Sequence, residues 1–154
     1  MDMPKVTDAH RMLERLAGRW SGQEKLSPSP WDPAGGMAIA RINNRIALGG
    51  FAVIQDYEQE RNGEVSFHGH GVFQYDANQK NYVLHWFDSM GMGANEFRGD
   101  CKDNVYTFMS KSPQGENRVT FDFRQNGKYT FKLEASMDGK QWMTFMDGTY
   151  TKSA

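Results

Sequence analysis

The chain has 154 residues, 38% hydrophobic and 24% charged, with a formal net charge of −1 and aromatics at 13%. That is the length of one domain with enough apolar material for a core. The near-neutral balance without a basic run excludes the electrostatic footprint of a nucleic-acid binder. The single cysteine, Cys101, excludes an internal disulfide, and no CxxC pair is present for zinc or redox chemistry.

The first predicted element is a short helix. "TDAHRMLERLAG" (residues 7–18) offers Thr7 or Asp8 as N-cap and Gly18 as the stop, with Met12, Leu13 and Leu16 forming an apolar stripe. This N-terminal region lacks a signal-type apolar core, and no apolar run approaches the roughly 20 residues of a membrane span. A cytoplasmic protein with no membrane partner is therefore expected. From Gly18 onward the period becomes two. "RWSGQEKL" (19–26) sets Trp20, Gly22, Glu24 and Leu26 on one face. The Pro- and Gly-rich "SPSPWDPAGG" (27–36) is a loop long enough to act as a lid or portal.

Nine further strands are predicted at 37–47, 50–60, 64–75, 81–87, 95–100, 104–111, 117–124, 128–136 and 142–151. The turns between them carry hairpin chemistry, among them Asn62-Gly63, Asp103-Asn104, Asn126-Gly127 and Asp138-Gly139. About ten antiparallel strands joined by tight turns predict a mainly β fold. The expected form is a single up-and-down antiparallel barrel over residues 1–154, capped by the N-terminal helix. Closure removes exposed edges, and a barrel of this width has room for a ligand cavity.

"LAGRW" after a short helix resembles the GxW signature of the calycin group, which includes lipocalins, fatty-acid-binding proteins and nitrobindin-like proteins. The longer pattern "LAGRWSGQEKLSPSPWDP … GHGVFQYD … HWFDSMGM … FMDGTYTK" resembles DUF1579, a bacterial family of unknown function, over nearly the whole chain. The resemblance implies a lipocalin-like barrel with Gly18 and Trp20 at a floor closed by the helix. Lipocalins commonly lay an Arg from the last strand over that Trp; here the last strand offers only Lys152. Nitrobindin-like barrels hold heme through a late-strand His. No His follows His85, so heme by that arrangement is not expected.

The candidate site residues cluster in "SFHGHGVFQYD" (66–76) and "YVLHWFD" (82–88). Pairing Tyr75 with Tyr82 places Val72 opposite His85 and His70 opposite Phe87. His68, His70 and His85 then share one face, while Phe67, Phe73, Tyr75, Tyr82, Leu84 and Trp86 share the other. His70 and His85 become diagonal neighbours, about 7–8 Å apart. They are the weak candidates for a metal, and ordinary hydrogen-bonded histidines outweigh that reading because the dense spacing of dedicated metal motifs is absent.

Amphipathicity puts the aromatic face inside. The resemblance to nitrobindin-like barrels puts the histidines inside, and a homodimer would then cover the outward aromatics. The histidine-inward arrangement is the one adopted. "SMGMGAN" (89–95) supplies Met90 and Met92 as an adaptable rim.

The leading expectation is a non-enzymatic protein that binds a small hydrophobic or amphipathic molecule in the barrel. Glu24, His68, His70, His85, Met90 and Met92 are its expected binding residues; no catalytic residue, cofactor or dedicated metal site is expected. Two alternatives stand beside it. One is an enzyme or a metal or heme protein using inward histidines. The other is a dimeric interaction module whose barrel is simply filled.

Overall fold

A computed structural model describes residues 2–30 and 32–153. Ten strands follow one N-terminal helical segment: β1 (Gly18–Leu26), β2 (Gly36–Ala47), β3 (Ala52–Arg61), β4 (Glu64–Asp76), β5 (Asn81–Asp88), β6 (Asn95–Lys102), β7 (Val105–Ser112), β8 (Gly115–Asp122), β9 (Lys128–Ser136) and β10 (Met143–Lys152). Each strand pairs antiparallel with its neighbour in sequence, and β10 pairs with β1 to close the barrel. The sheet has no free edge, which removes the row of unpaired backbone groups that an open meander would expose.

Alternation along the strands decides what lies inside. Ala38, Ala40, Ile42 and Asn44 of β2 are buried, with exposed residues between them. Val119 and Phe121 of β8, Phe123 just beyond it, Tyr129 of β9 and Tyr150 of β10 join Ala40 and Ile42 in one core. Aromatic rings dominate that core: Phe73, Phe108, Phe121, Tyr129 and Tyr150 interlock mostly in edge or tilted contacts.

The helix is shorter and tighter than the sequence pattern implies. One α turn, α1 (Asp8–Arg11), passes directly into a 3₁₀ turn over Met12–Leu16. At about three residues per 3₁₀ turn, Leu13 and Leu16 fall on the same side and both are buried. Met12 rotates outward to 40% exposure, so it is not part of the apolar stripe. His10, the fourth histidine, serves this element: the Thr7 backbone N–H donates to its Nδ1 at 3.0 Å, and its ring packs edge-on against Phe51 and Tyr75.

The helical segment closes one end of the barrel. Tyr82 donates its hydroxyl to the Ala9 carbonyl at 2.7 Å, and Tyr106 reaches the Met12 carbonyl. The last helical carbonyl, on Leu16, receives both the Trp20 indole N–H at 3.0 Å and the Asn44 side-chain N–H at 2.9 Å. This satisfies a backbone group that a helix end leaves without an internal partner. Trp20 is 4% exposed and lies edge-on to Phe123 and Tyr129, with the Lys152 ammonium 5.7 Å from its ring.

The β4–β5 register is as expected from sequence: Tyr75 faces Tyr82, Val72 faces His85 and His70 faces Phe87. The direction of the two faces is the reverse of the adopted arrangement. Phe73, Tyr82 and Leu84 are buried, while His68 and His70 are exposed and His85 is half-buried on the outer wall. The physical reason lies in Gly69 and Gly71. A Cβ at Gly69 would come within 2.2 Å of the Trp86 indole, so the inner face of β4 is hollowed to receive that ring. Burying Phe73, Tyr82 and Leu84 outweighs any gain from burying imidazoles, which solvent and neighbouring carboxylates satisfy outside. The aromatic residues expected at a dimer interface therefore face the barrel interior and need no covering partner.

Candidate functional site

The end opposite the helix is built differently. There the strands are joined by the 27–35 and 89–94 connections and by three hairpin turns. Inward side chains at this end remain only partly covered: Tyr57, Phe67, Trp86, Phe131, Leu133 and Met146. Beneath them sits Glu24, with no exposed surface at all.

Three donors hold the Glu24 carboxylate. The Tyr150 hydroxyl donates to Oε2 at 2.5 Å, the Gln59 amide donates to Oε1 at 2.9 Å, and the Tyr57 hydroxyl lies 2.7 and 2.8 Å from the two oxygens. Gln59 also donates to the Tyr57 hydroxyl at 3.1 Å, which makes the group a connected network. Two phenols and an amide donating to one carboxyl group is the arrangement that suits its ionised, acceptor-only form.

The strand pairing makes this geometry possible. Glu24 faces Gly148 across β1 and β10, and a Cβ at Gly148 would lie 2.5 Å from the Tyr150 hydroxyl and 3.1 Å from Glu24 Cγ. The glycine leaves the gap through which Tyr150 reaches the carboxylate. The Tyr57 and Tyr150 phenols are pushed far above their ordinary range, first by burial and then by the Glu24 charge; burial and the same charge raise Tyr129.

The mouth is shaped by aromatic contacts. Tyr57 meets Phe67 and Trp86 edge-on, with ring centroids 6.1 and 6.0 Å apart. The Trp86 N–H donates to Asp88 Oδ2 at 2.9 Å, and the other Asp88 oxygen accepts the Met90 backbone N–H. One carboxylate thus fixes both the indole and the start of the 89–94 connection. On the other side, Arg61 donates to Asp32 at 2.6 Å and to the Gly35 carbonyl at 2.8 Å, which ties the 27–35 connection to β3. That connection lies at the open end, the position required of a lid or portal; its Trp31 lies outside the described residues.

Among the residues singled out from sequence, Glu24 is inward and central, as its parity with Trp20 implies. Gly18 and Trp20 are at the closed end. Met90 and Met92 lie on the rim connection and are 60% and 82% exposed, so neither lines the interior. His68, His70 and His85 are on the outer wall and are not brought together with Glu24. His70 Nδ1 pairs with Asp56 Oδ1 at 2.8 Å instead. His68 and His70 border a shallow outer depression of about 760 Å³, together with Arg19, Arg41, Asp56 and Phe87.

Sequence reasoning missed Tyr57, Gln59 and Tyr150. Part of the signal was available: Gln55 and Gln59 share the parity of Val53 and Tyr57 on β3, and all four point inward. Cys101 is half-buried beside Tyr106, and burial pushes its thiol upward, away from reactivity.

The closed ten-stranded antiparallel barrel, with a helix over one end and a Trp after GxW at its floor, defines a calycin-like barrel. The chain belongs to the family described as "Protein of unknown function (DUF1579)", whose profile matches residues 5–152. Solved structures share the fold, two of them as follows. The chain superposes on Rv2717c from M. tuberculosis with a TM-score of 0.70 at 10% identity, covering 97% of this chain and 100% of that one. It superposes on the S-type phycobiliprotein lyase CPES from Guillardia theta with a TM-score of 0.60 at 10% identity, covering 98% and 99% of the two chains. No curated protein matches the sequence. No helix among the described residues is long and apolar enough to cross a membrane.

Proposed function

We propose that the protein binds a small, partly apolar molecule at the open end of the barrel, above the Glu24 network and between the aromatic side chains of the mouth. The observation that carries this is the fully buried Glu24 carboxylate beneath rings that stay partly exposed. Ligand sites are mostly apolar with a few well-placed polar groups, and they favour barrel mouths. A well-packed hydrophobic residue in place of Glu24 would avoid the desolvation cost of a buried charge. The retained carboxylate, fixed by three donors beneath the mouth, supports this reading. The shared fold with a phycobiliprotein lyase is compatible with a barrel that accepts an organic molecule, and at 10% identity it supports the architecture alone.

His68, His70 and His85 face outward and so cannot act inside the barrel as metal ligands or acid–base groups. The binding test uses protein purified without a metal-affinity tag. Native mass spectrometry is expected to show a retained small molecule or, after its removal, stoichiometric uptake of Nile red with enhanced emission. Trp86→Ala should weaken that uptake about tenfold or more, in line with loss of a central aromatic anchor. Absence of both a retained molecule and saturable dye binding would overturn the proposal.

A further inference from the structure

The Glu24 network is satisfied in hydrogen bonds and unsatisfied in charge. Its three partners, Tyr57, Gln59 and Tyr150, are neutral donors. Among the described residues no Lys, Arg or His forms an ion pair with Glu24. Buried charges are ordinarily paired, because an isolated one is costly to desolvate. Two cations, one near each end, are engaged elsewhere. Arg61, two residues beyond Gln59, is paired with Asp32 at 2.6 Å, and Lys152 lies over Trp20 at the closed end.

The groups between Glu24 and solvent favour the same sign of charge. Phe67 and Trp86 each meet Tyr57 at a steep angle, 80° and 68° between ring planes. Rings set at steep angles cannot all turn only their edges to the space they border, and aromatic faces attract cations. A second carboxylate, Asp88, holds the Trp86 indole at the rim. An incoming carboxylate or phosphate would be opposed by Asp88 at the rim and by the Glu24 charge beneath the rings.

Resting on the proposed binding site at the open end, we infer that its ligand is an organic cation: a protonated amine or quaternary ammonium group on an apolar body, whose charge supplies the counterion that Glu24 lacks. The apolar body would lie toward Phe131, Leu133 and Met146, and the cationic head toward Tyr57.

The test compares three probes with the same ten-carbon tail: decyltrimethylammonium, 1-decanol and decanoate. Each is titrated below its micelle concentration into the full chain and followed by tryptophan emission and calorimetry. The ammonium probe is expected to bind at least about tenfold more tightly than the alcohol, with decanoate weakest. In Glu24→Gln the ammonium-to-alcohol ratio should fall to within about threefold. Equal affinities for the ammonium and the alcohol in the wild type would overturn the cation inference and leave apolar binding intact. Tighter binding of decanoate than of the ammonium would overturn it as well. Failure of all three probes to bind would overturn both. The wild-type ranking decides the matter even where Glu24→Gln folds poorly.

Discussion

Single positions carry much of the design. Glycines beside large side chains make room for them: Gly148 for Tyr150, and Gly69 and Gly71 for Trp86. Gly69→Ala would drive a methyl into the indole, forcing Trp86 out of its place between β4 and Tyr57. Overpacking of this kind costs about 1–3 kcal/mol. The expected readout is a lower denaturant midpoint together with a red-shifted Trp emission, and the shift should vanish in a Trp86→Phe background. At the closed end, Trp20→Ala removes an indole that packs on two rings and donates to the Leu16 carbonyl. A loss of about 3–5 kcal/mol is expected by chemical denaturation, and an unchanged midpoint would show that Trp20 is not a barrel-floor anchor.

At the scale of elements, the two ends of the barrel differ in how they are covered. The helical segment is bound to the strands by side-chain hydrogen bonds from Tyr82, Tyr106, Trp20 and Asn44 to its backbone. The 27–35 connection depends on Arg61, which grips Asp32 and the Gly35 carbonyl. Both members of that ion pair are about a third exposed, so its contribution to global stability is small, about 1 kcal/mol or less. Arg61→Ala should therefore leave the melting temperature nearly unchanged while loosening the connection. Hydrogen exchange is the check: the amides of Ser29, Asp32 and Gly35, which bond within the loop, should exchange faster while β-barrel amides do not. Uniform acceleration across the barrel would mean that Arg61 supports the whole fold.

For the whole molecule, the buried phenols set a limit at alkaline pH. Tyr57, Tyr106, Tyr129 and Tyr150 are all held well above the ordinary phenol range, with burial as the leading cause; Tyr82 is pushed up to about 12, also chiefly by burial. In the unfolded chain these groups ionise near pH 10. Above that pH the unfolded state binds fewer protons than the folded state, so stability falls as pH rises. The contribution is fully present below about pH 10 and is lost progressively above it, with a slope of up to about 1.4 kcal/mol per pH unit for each phenol kept neutral. Absorbance at 295 nm should show these tyrosines titrating together with the loss of near-UV circular dichroism. Gradual titration with the fold intact would contradict their burial.

The sequence alone determined the ten-stranded meander, because strand period and hairpin turns are written locally, and the strand count implied its closure. Turn residues such as Asn62-Gly63 and alternations such as Val119, Phe121 and Phe123 report their own conformation, and the β4–β5 register follows from two tyrosines and one turn length. The inward carboxylate was legible too, since Glu24 shares the parity of Trp20. Which face of β4 and β5 points inward was not legible, because both faces carry apolar groups and the decision belongs to packing. Trp86 fits only over Gly69 and Gly71, and those glycines matter only once the strands are paired. The partners of Glu24 were hidden for a related reason. Tyr57, Gln59 and Tyr150 lie 33, 35 and 126 residues away in the chain, and only closure of β10 onto β1 brings the last of them to the carboxylate.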